Sequence, residues 1–264
     1  MLEIKHISKT FNEGTVNEKK AIQDLSITIN DGDFITVIGG NGAGKSTLLN
    51  LISGTYMIDS GNIVLNGDDI SKQKEYKRAA RIGRVFQDPM TGTCADLTIE
   101  ENFSIAKRRG KLRTLKMGLT SKEKEEYHDL LKSLNLGLEK RLTSKVGLLS
   151  GGQRQALTLL MATLVKPELL LLDEHTAALD PKTANRVLSL TDELVRKDHL
   201  TTLMITHNMK DAIKYGNRLI MMSEGKIILD VRDEEKEKLT VSDLLAIFEK
   251  ETGFEMTNDR VLLS

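Results

Sequence analysis

The chain has 264 residues, 39% of them hydrophobic and 29% charged. That is enough for one large or two small globular domains with a buried core, and it excludes a disordered polymer. Thirty-eight Lys and Arg balance thirty-eight Asp and Glu, which argues against a dedicated nucleic-acid binder while leaving room for a local basic patch. The single cysteine, Cys94, excludes an internal disulfide and fits a reducing compartment.

The opening "MLEIKHISKTF" has no charged-then-apolar signal pattern. "LEIKHISKTF", "AIQDLSITIN" and "GNIVLNGDDI" alternate in part and are divided by turn residues, which predicts an antiparallel flap of strands. The polar segment 12–20 is expected as a hairpin loop. Phe34–Ile38, Ile82–Phe86, Leu169–Leu172 and Thr202–Ile205 are short apolar runs without alternation, as buried strands of a parallel sheet are. Helical patterns begin near Lys45, Gly152 and Lys182, and strand–helix alternation of this kind predicts an α/β fold. None of the apolar stretches reaches the roughly 20 residues that a membrane span needs, so a membrane role is expected to fall to another chain.

Between Leu97 and Gly147, "LTIEENFSIAKRRG" and "TSKEKEEYHDLLKSLNL" predict a helical insert, with Leu130, Leu131 and Leu134 on one face. Thr120 or Ser121 is the expected cap of its second helix, with Glu123, Glu125 and Glu126 near the start. The basic run Lys107, Arg108, Arg109, Lys111, Arg113 and Lys116 reads as a solvated loop or as a face toward anionic lipid or a partner. "TVSDLLAIFEK" predicts a short amphipathic helix with Val241, Leu244, Leu245 and Phe248 facing inward, followed by a loosely held end. No internal repeat or low-complexity tract is evident.

"GGNGAGKS", residues 39–46, has the G-x-x-x-x-G-K-[ST] pattern between an apolar run and a helical one, which is the context that a phosphate-binding loop requires. Gly39, Gly42 and Gly44 let the backbone wrap a phosphate chain, and Asn41, Ala43 and Thr47 belong to the same wrap. Backbone N–H groups and the positive end of the next helix attract the anion. Lys45 can reach the terminal phosphates of a bound nucleotide, and the Ser46 hydroxyl can hold Mg²⁺.

"LLLLDE" puts Asp173 and Glu174 at a strand end, where open parallel sheets bind ligands. Asp173 is the candidate Mg²⁺ partner, direct or through another group. Glu174 can orient or deprotonate the water that attacks the terminal phosphate. Gln87 and His207 end two further strand runs. Either alone fits a structural role, but arrival at one sheet edge favours Gln87 as a ligand of Mg²⁺ or water and His207 as a hydrogen-bond donor to phosphate. His6, His128 and His199 have no comparable setting, and His175, directly after Glu174, fits either role. "LLSGGQRQ", residues 148–155, is a second glycine-rich helix start suited to an anion, without a lysine beside it.

In order, the loop at 39–46, Gln87, "LSGGQ" (149–153), "LLLLDE", "ALD" (178–180) and "ITH" ending at His207 resemble the ATP-binding-cassette (ABC) ATPases, the nucleotide-binding subunits of transporters, over nearly the whole chain. The resemblance implies a P-loop NTPase (RecA-like) core with a parallel sheet, an N-terminal antiparallel β subdomain and an inserted α-helical subdomain. It further implies one ATPase domain over 1–264: core at 1–90 and 155–245, helical subdomain at 91–154, tail at 246–264. Family subunits pair head to tail, so Ser150, Gly151, Gly152 and Gln153 of one chain are expected to complete the ATP site of another, with Asp180 at the seam. Gln87 is expected to sense the membrane permease, and Phe11 to stack on adenine where the family more often has tyrosine. His175 stands where the family commonly has proline. "DEHTAALD" resembles importer subunits that work with extracellular substrate-binding lipoproteins, some for aromatic amino acids. The expectation is therefore an ATPase at the cytoplasmic face of the membrane, favouring import. A cassette acting on DNA or ribosomes is the alternative, disfavoured by the modest insert, the single cassette and the lack of a basic tail. A simple P-loop switch or small-molecule kinase would leave "LSGGQ" unexplained, and "NKxD" is absent.

Overall fold

A computed structural model of the chain describes residues 1–111 and 118–252. In chain order the elements are β1 (Leu2–Phe11), β2 (Lys19–Ile29), β3 (Phe34–Ile38), α1 (Lys45–Ser53), β4 (Ser60–Leu65), β5 (Asp68–Asp69) and α2 (Glu75–Arg78). There follow β6 (Ile82–Val85), α3 (Ile99–Lys107), α4 (Ser121–Ser133), two 3-10 turns, α5 (Gly151–Thr163), β7 (Leu169–Asp173) and α6 (Pro181–Asp198). The chain continues through β8 (Thr202–Ile205), α7 (Met209–Lys214), β9 (Arg218–Ser223), β10 (Lys226–Arg232), α8 (Asp233–Glu237) and α9 (Val241–Thr252). Two compact units divide these elements: Met1–Arg78 with the segment from His199 onward, and Ala79–Asp198.

In the first unit, β2, β1, β4 and β5 form the antiparallel sheet expected of the N-terminal segment. Strict alternation from Leu2 and Ile4 would turn Ile7 outward. Instead both pairings of β1 shift register around His6, whose φ is 52°, and Ile7 is buried with the other two. The extra residue resets the phase of the strand. In the second layer β3 lies between β8 and β9, parallel to both, and all five of its residues are buried. The hairpin β9–β10, which the sequence reading did not anticipate, turns at Glu224 and Gly225, both with positive φ. Helix α9 buries Leu244 against Ile38, Met209 and Met221, with Val241, Leu245 and Phe248 partly buried beside it, as its periodicity predicts. The expectation of a loosely held end falls beyond the described residues.

In the second unit β6 and β7 pair in parallel, Ile82 opposite Leu169. Helices α3, α4 and α5 close a core that contains Phe103, Tyr127, Leu131, Leu134 and Leu157. Thr120 caps α4 in a capping box with Glu123. The buried stripe of α4 is Tyr127, Leu131 and Leu134, at i, i+4 and i+7; Leu130 is only partly buried. The tyrosine completes a stripe that a search for leucines alone understates, and its ring stacks on Phe103 at 5.1 Å.

The first three residues of the basic run are held by partners within the unit rather than left to solvent. Lys107 pairs with Glu126, Arg108 reaches Glu123 at 3.3 Å, and Arg109 donates to the carbonyls of Ala162 (3.1 Å) and Val165 (2.6 Å). Arg109 thereby donates to one carbonyl in the last turn of α5 and to one just beyond it, where helix carbonyls run out of intrahelical donors. Lys111 is exposed, and Arg113 and Lys116 lie outside the described residues.

Candidate nucleotide-binding site

The glycine-rich loop runs from the end of β3 into α1. A Cβ on Gly44 would lie 2.6 Å from the Ala21 carbonyl oxygen, and one on Gly39 would collide with the carbonyl oxygen of Met222, so neither position admits a side chain. Lys45 is 5% exposed, and its ammonium donates to the carbonyls of Gly39 (2.7 Å) and Gly40 (3.2 Å). The charge therefore sits within the curl of the loop rather than in solvent, where it can meet phosphate oxygens as they enter. Asn41, Gly42 and Ser46 are exposed, Thr47 half-buried, and Ala43 buried. The Ala43 carbonyl accepts from the Gly225 N–H at 2.9 Å, so the turn of the β9–β10 hairpin braces the loop. Gly225 is a support that sequence reasoning missed; the "EG" pair between two apolar runs was the available signal.

Phe11 ends β1, its ring edge-on to Tyr56 at 5.2 Å, and its partner across the ladder is Lys19. The Lys19 ammonium lies 3.2 Å from where a Cβ on Gly42 would stand, so the hairpin that carries Phe11 reaches the phosphate loop. His207 follows β8, the parallel neighbour of β3. The N–H of Thr206 continues the ladder to Val37 (3.1 Å), and Asn208 caps α7. His207 and the loop thus leave adjacent strands at the same end.

The second unit repeats this logic. Gln87, exposed, follows β6, while Asp173 ends its parallel neighbour β7 and Glu174 comes directly after it. Arg84 on β6, absent from the sequence reading, stacks its guanidinium on Phe86 at 4.5 Å and comes within 3.4 Å of the Asp173 carboxylate. Glu174 adopts φ 46°, a left-handed conformation rare for a residue with a side chain. His175 is buried, hydrogen-bonded through Nε2 to Thr191 Oγ1 at 3.0 Å, and burial pushes its pKa down to about 4. Asp180 caps α6: its carboxylate accepts the Thr183 N–H at 3.1 Å, and bonding to Thr183 holds its pKa below the usual carboxylate range.

Ser150 is the N-cap of α5, one residue earlier than the sequence pattern suggested. Its hydroxyl accepts the Gln153 N–H while the Gln153 side chain accepts the Ser150 N–H. Ser150 and Gly151 are exposed and Gly152 is buried. An exposed helix start of this kind presents N–H groups and a positive dipole end to an anion.

A phosphate-binding loop after a buried parallel strand, with acidic and amide residues at the ends of further strands, defines a P-loop nucleotide-binding protein. The model of the ABC transporter family matches residues 22–177. A tyrosine transport ATP-binding protein of Clostridioides difficile is 52% identical over 94% of this chain and 99% of its own length. A phosphonates import ATP-binding protein of Treponema denticola is 35% identical over 87% of this chain and 89% of its own. A dimeric post-hydrolysis ATP-binding cassette bound to ADP and Pi superposes with a TM-score of 0.75 at 27% identity, over 88% of this chain and 98% of that one. The chain belongs to the ABC transporter family of ATP-binding cassettes and is an ATPase of that family. Among the described residues no helix is long and apolar enough to cross a membrane.

Proposed function

We propose that the chain is the ATP-hydrolysing subunit of a membrane importer, working at the cytoplasmic face as one of two cassettes paired head to tail beneath separate permease subunits. The observation that carries this reading is the exposed α5 start at Ser150 and Gly151, in a chain whose Lys45 already lies in a phosphate loop of its own. A second anion seat turned to solvent has a use if a partner brings the anion. ATP then joins two chains, and loss of its terminal phosphate loosens the pair.

In this reading the nucleotide rests on Phe11 and on the loop from Gly39 through Thr47, with Lys45 on its terminal phosphates. Ser150, Gly151, Gly152 and Gln153 of the second cassette cover it, and Asp180 lies at the seam. Ser46, Gln87 and Asp173 offer hard oxygen donors, the set that suits Mg²⁺, which when bound would neutralise phosphate charge. Glu174 orients or deprotonates the attacking water, and His207 donates to the phosphate. Residues 1–90 and 155–245 act as nucleotide core, 91–154 as helical subdomain and 246–264 as tail of one ATPase domain. Identity with a tyrosine transport protein and a phosphonates import protein supports import, and the former supports an aromatic amino acid as cargo. An extracellular substrate-binding protein that delivers the cargo is part of the same reading.

The test is Ser150→Arg. ATP binding to the single chain should persist, while ATP-dependent dimers should vanish in gel filtration. Dimers that survive this change overturn the head-to-tail reading.

A further inference from the structure

We infer that His175 is a positioning residue for Glu174, tying the segment after β7 to α6 so that the carboxylate of Glu174 is held where water can be activated. The inference rests on the proposed role of Glu174.

Glu174 occupies the left-handed region at φ 46°, which is strained for a non-glycine residue and persists only where the surroundings impose it. On its N-terminal side the constraint is β7, whose Leu169–Leu172 are all buried and paired with β6. On its C-terminal side the constraint is His175. The imidazole is buried and bonds through Nε2 to Thr191 Oγ1 at 3.0 Å. The Thr191 hydroxyl has one hydrogen, and it goes to the Val187 carbonyl at 2.8 Å. With that hydrogen on the carbonyl, the oxygen accepts from the histidine tautomer that carries its proton on Nε2. Thr191 is itself fully buried, so the acceptor has no rotamer that reaches water. The turn closes with the Ala177 N–H donating to the Glu174 carbonyl at 3.0 Å. Glu174 is thus a strained residue between a buried strand and a buried anchor, and the anchor is a side-chain hydrogen bond. Without it, the backbone at Glu174 can relax toward ordinary φ values and swing the carboxylate away from its water.

Three variants of the full-length chain test this: Thr191→Val, which keeps the shape and removes the acceptor; Thr191→Ser, which restores the hydroxyl; and His175→Leu. Steady-state ATP hydrolysis, displacement of a fluorescent ATP analogue and thermal unfolding are read for each. Thr191→Val and His175→Leu should lower kcat about 10- to 100-fold, the range expected for an ångström-scale misplacement. KM and nucleotide affinity should change less than about threefold, because uniform binding is untouched. Thr191→Ser should recover most of kcat. In a Glu174→Gln background, adding His175→Leu should lower the residual rate no further, since both act through one group. If Thr191→Val and His175→Leu lower the melting temperature yet leave kcat per folded molecule unchanged, His175 is core packing and the inference fails. A Glu174→Gln variant that hydrolyses ATP normally would instead sink the role of Glu174 itself.

Discussion

Gly152 backs onto the Cγ2 methyl of Thr183 so closely that a Cβ on the glycine would overlap it. Its neighbour Gly151 meets only ordinary contact, 3.5 Å to Leu179. The two glycines therefore differ in physical role: Gly152 permits α5 to pack on α6, whereas Gly151 lies at the exposed helix start. Gly152→Ala should cost about 1–3 kcal/mol through overpacking and lower the melting temperature by several degrees. Adding Thr183→Ser, which removes the colliding methyl, should restore it. Calorimetry of the single and double variants checks this, and independent, additive effects would contradict the packing argument.

Glu174→Gln keeps the size and the hydrogen-bonding oxygen of the side chain but removes its basicity. ATP hydrolysis should fall roughly 10²- to 10⁴-fold, the usual contribution of a general base. Both grips on the nucleotide survive, so an ATP-bound dimer should accumulate. Gel filtration with ATP, alongside a phosphate-release assay, measures both.

Phe11 needs only its ring to stack on a base. Phe11→Tyr should leave ATP affinity within about threefold, whereas Phe11→Ala should lose about 1–3 kcal/mol of stacking, or roughly 5- to 150-fold in Kd. Titration with a fluorescent nucleotide distinguishes the two, and equal behaviour of both variants would remove Phe11 from the site.

Arg78 is 1% exposed and donates to the carbonyls of Leu51 (2.7 Å), Ile52 (2.9 Å), Ser71 (3.0 Å) and Gln73 (2.9 Å). Two of these belong to the last turn of α1, the helix that begins at Lys45. Arg78→Met should cost about 2–4 kcal/mol because buried carbonyls are left without donors. Urea unfolding should show the loss as a lower midpoint, and weaker ATP binding should accompany it at temperatures where α1 loosens.

What could be seen in the sequence was local. The β3 and β8 runs are bounded to the residue, since an unbroken run of buried, mostly apolar residues has the same length in the chain as in the sheet. The α4 cap was legible because a capping box involves residues three apart, here Thr120 and Glu123. The β9–β10 hairpin was overlooked, although its turn residues and flanking apolar runs were present.

The residues proposed to carry the chemistry, from the loop at 39–46 through Gln87, Asp173 and Glu174 to His207, are legible in the order of amino acids alone, because phosphate-loop patterns and strand ends leave short local marks. Tertiary structure decided the supports: Gly225 bracing Ala43, Arg84 beside Asp173, Arg109 closing α5, and the His175–Thr191 bond behind a strained Glu174. Each joins residues far apart in the chain, and a hydrogen bond between distant segments has no periodicity by which a sequence could announce it.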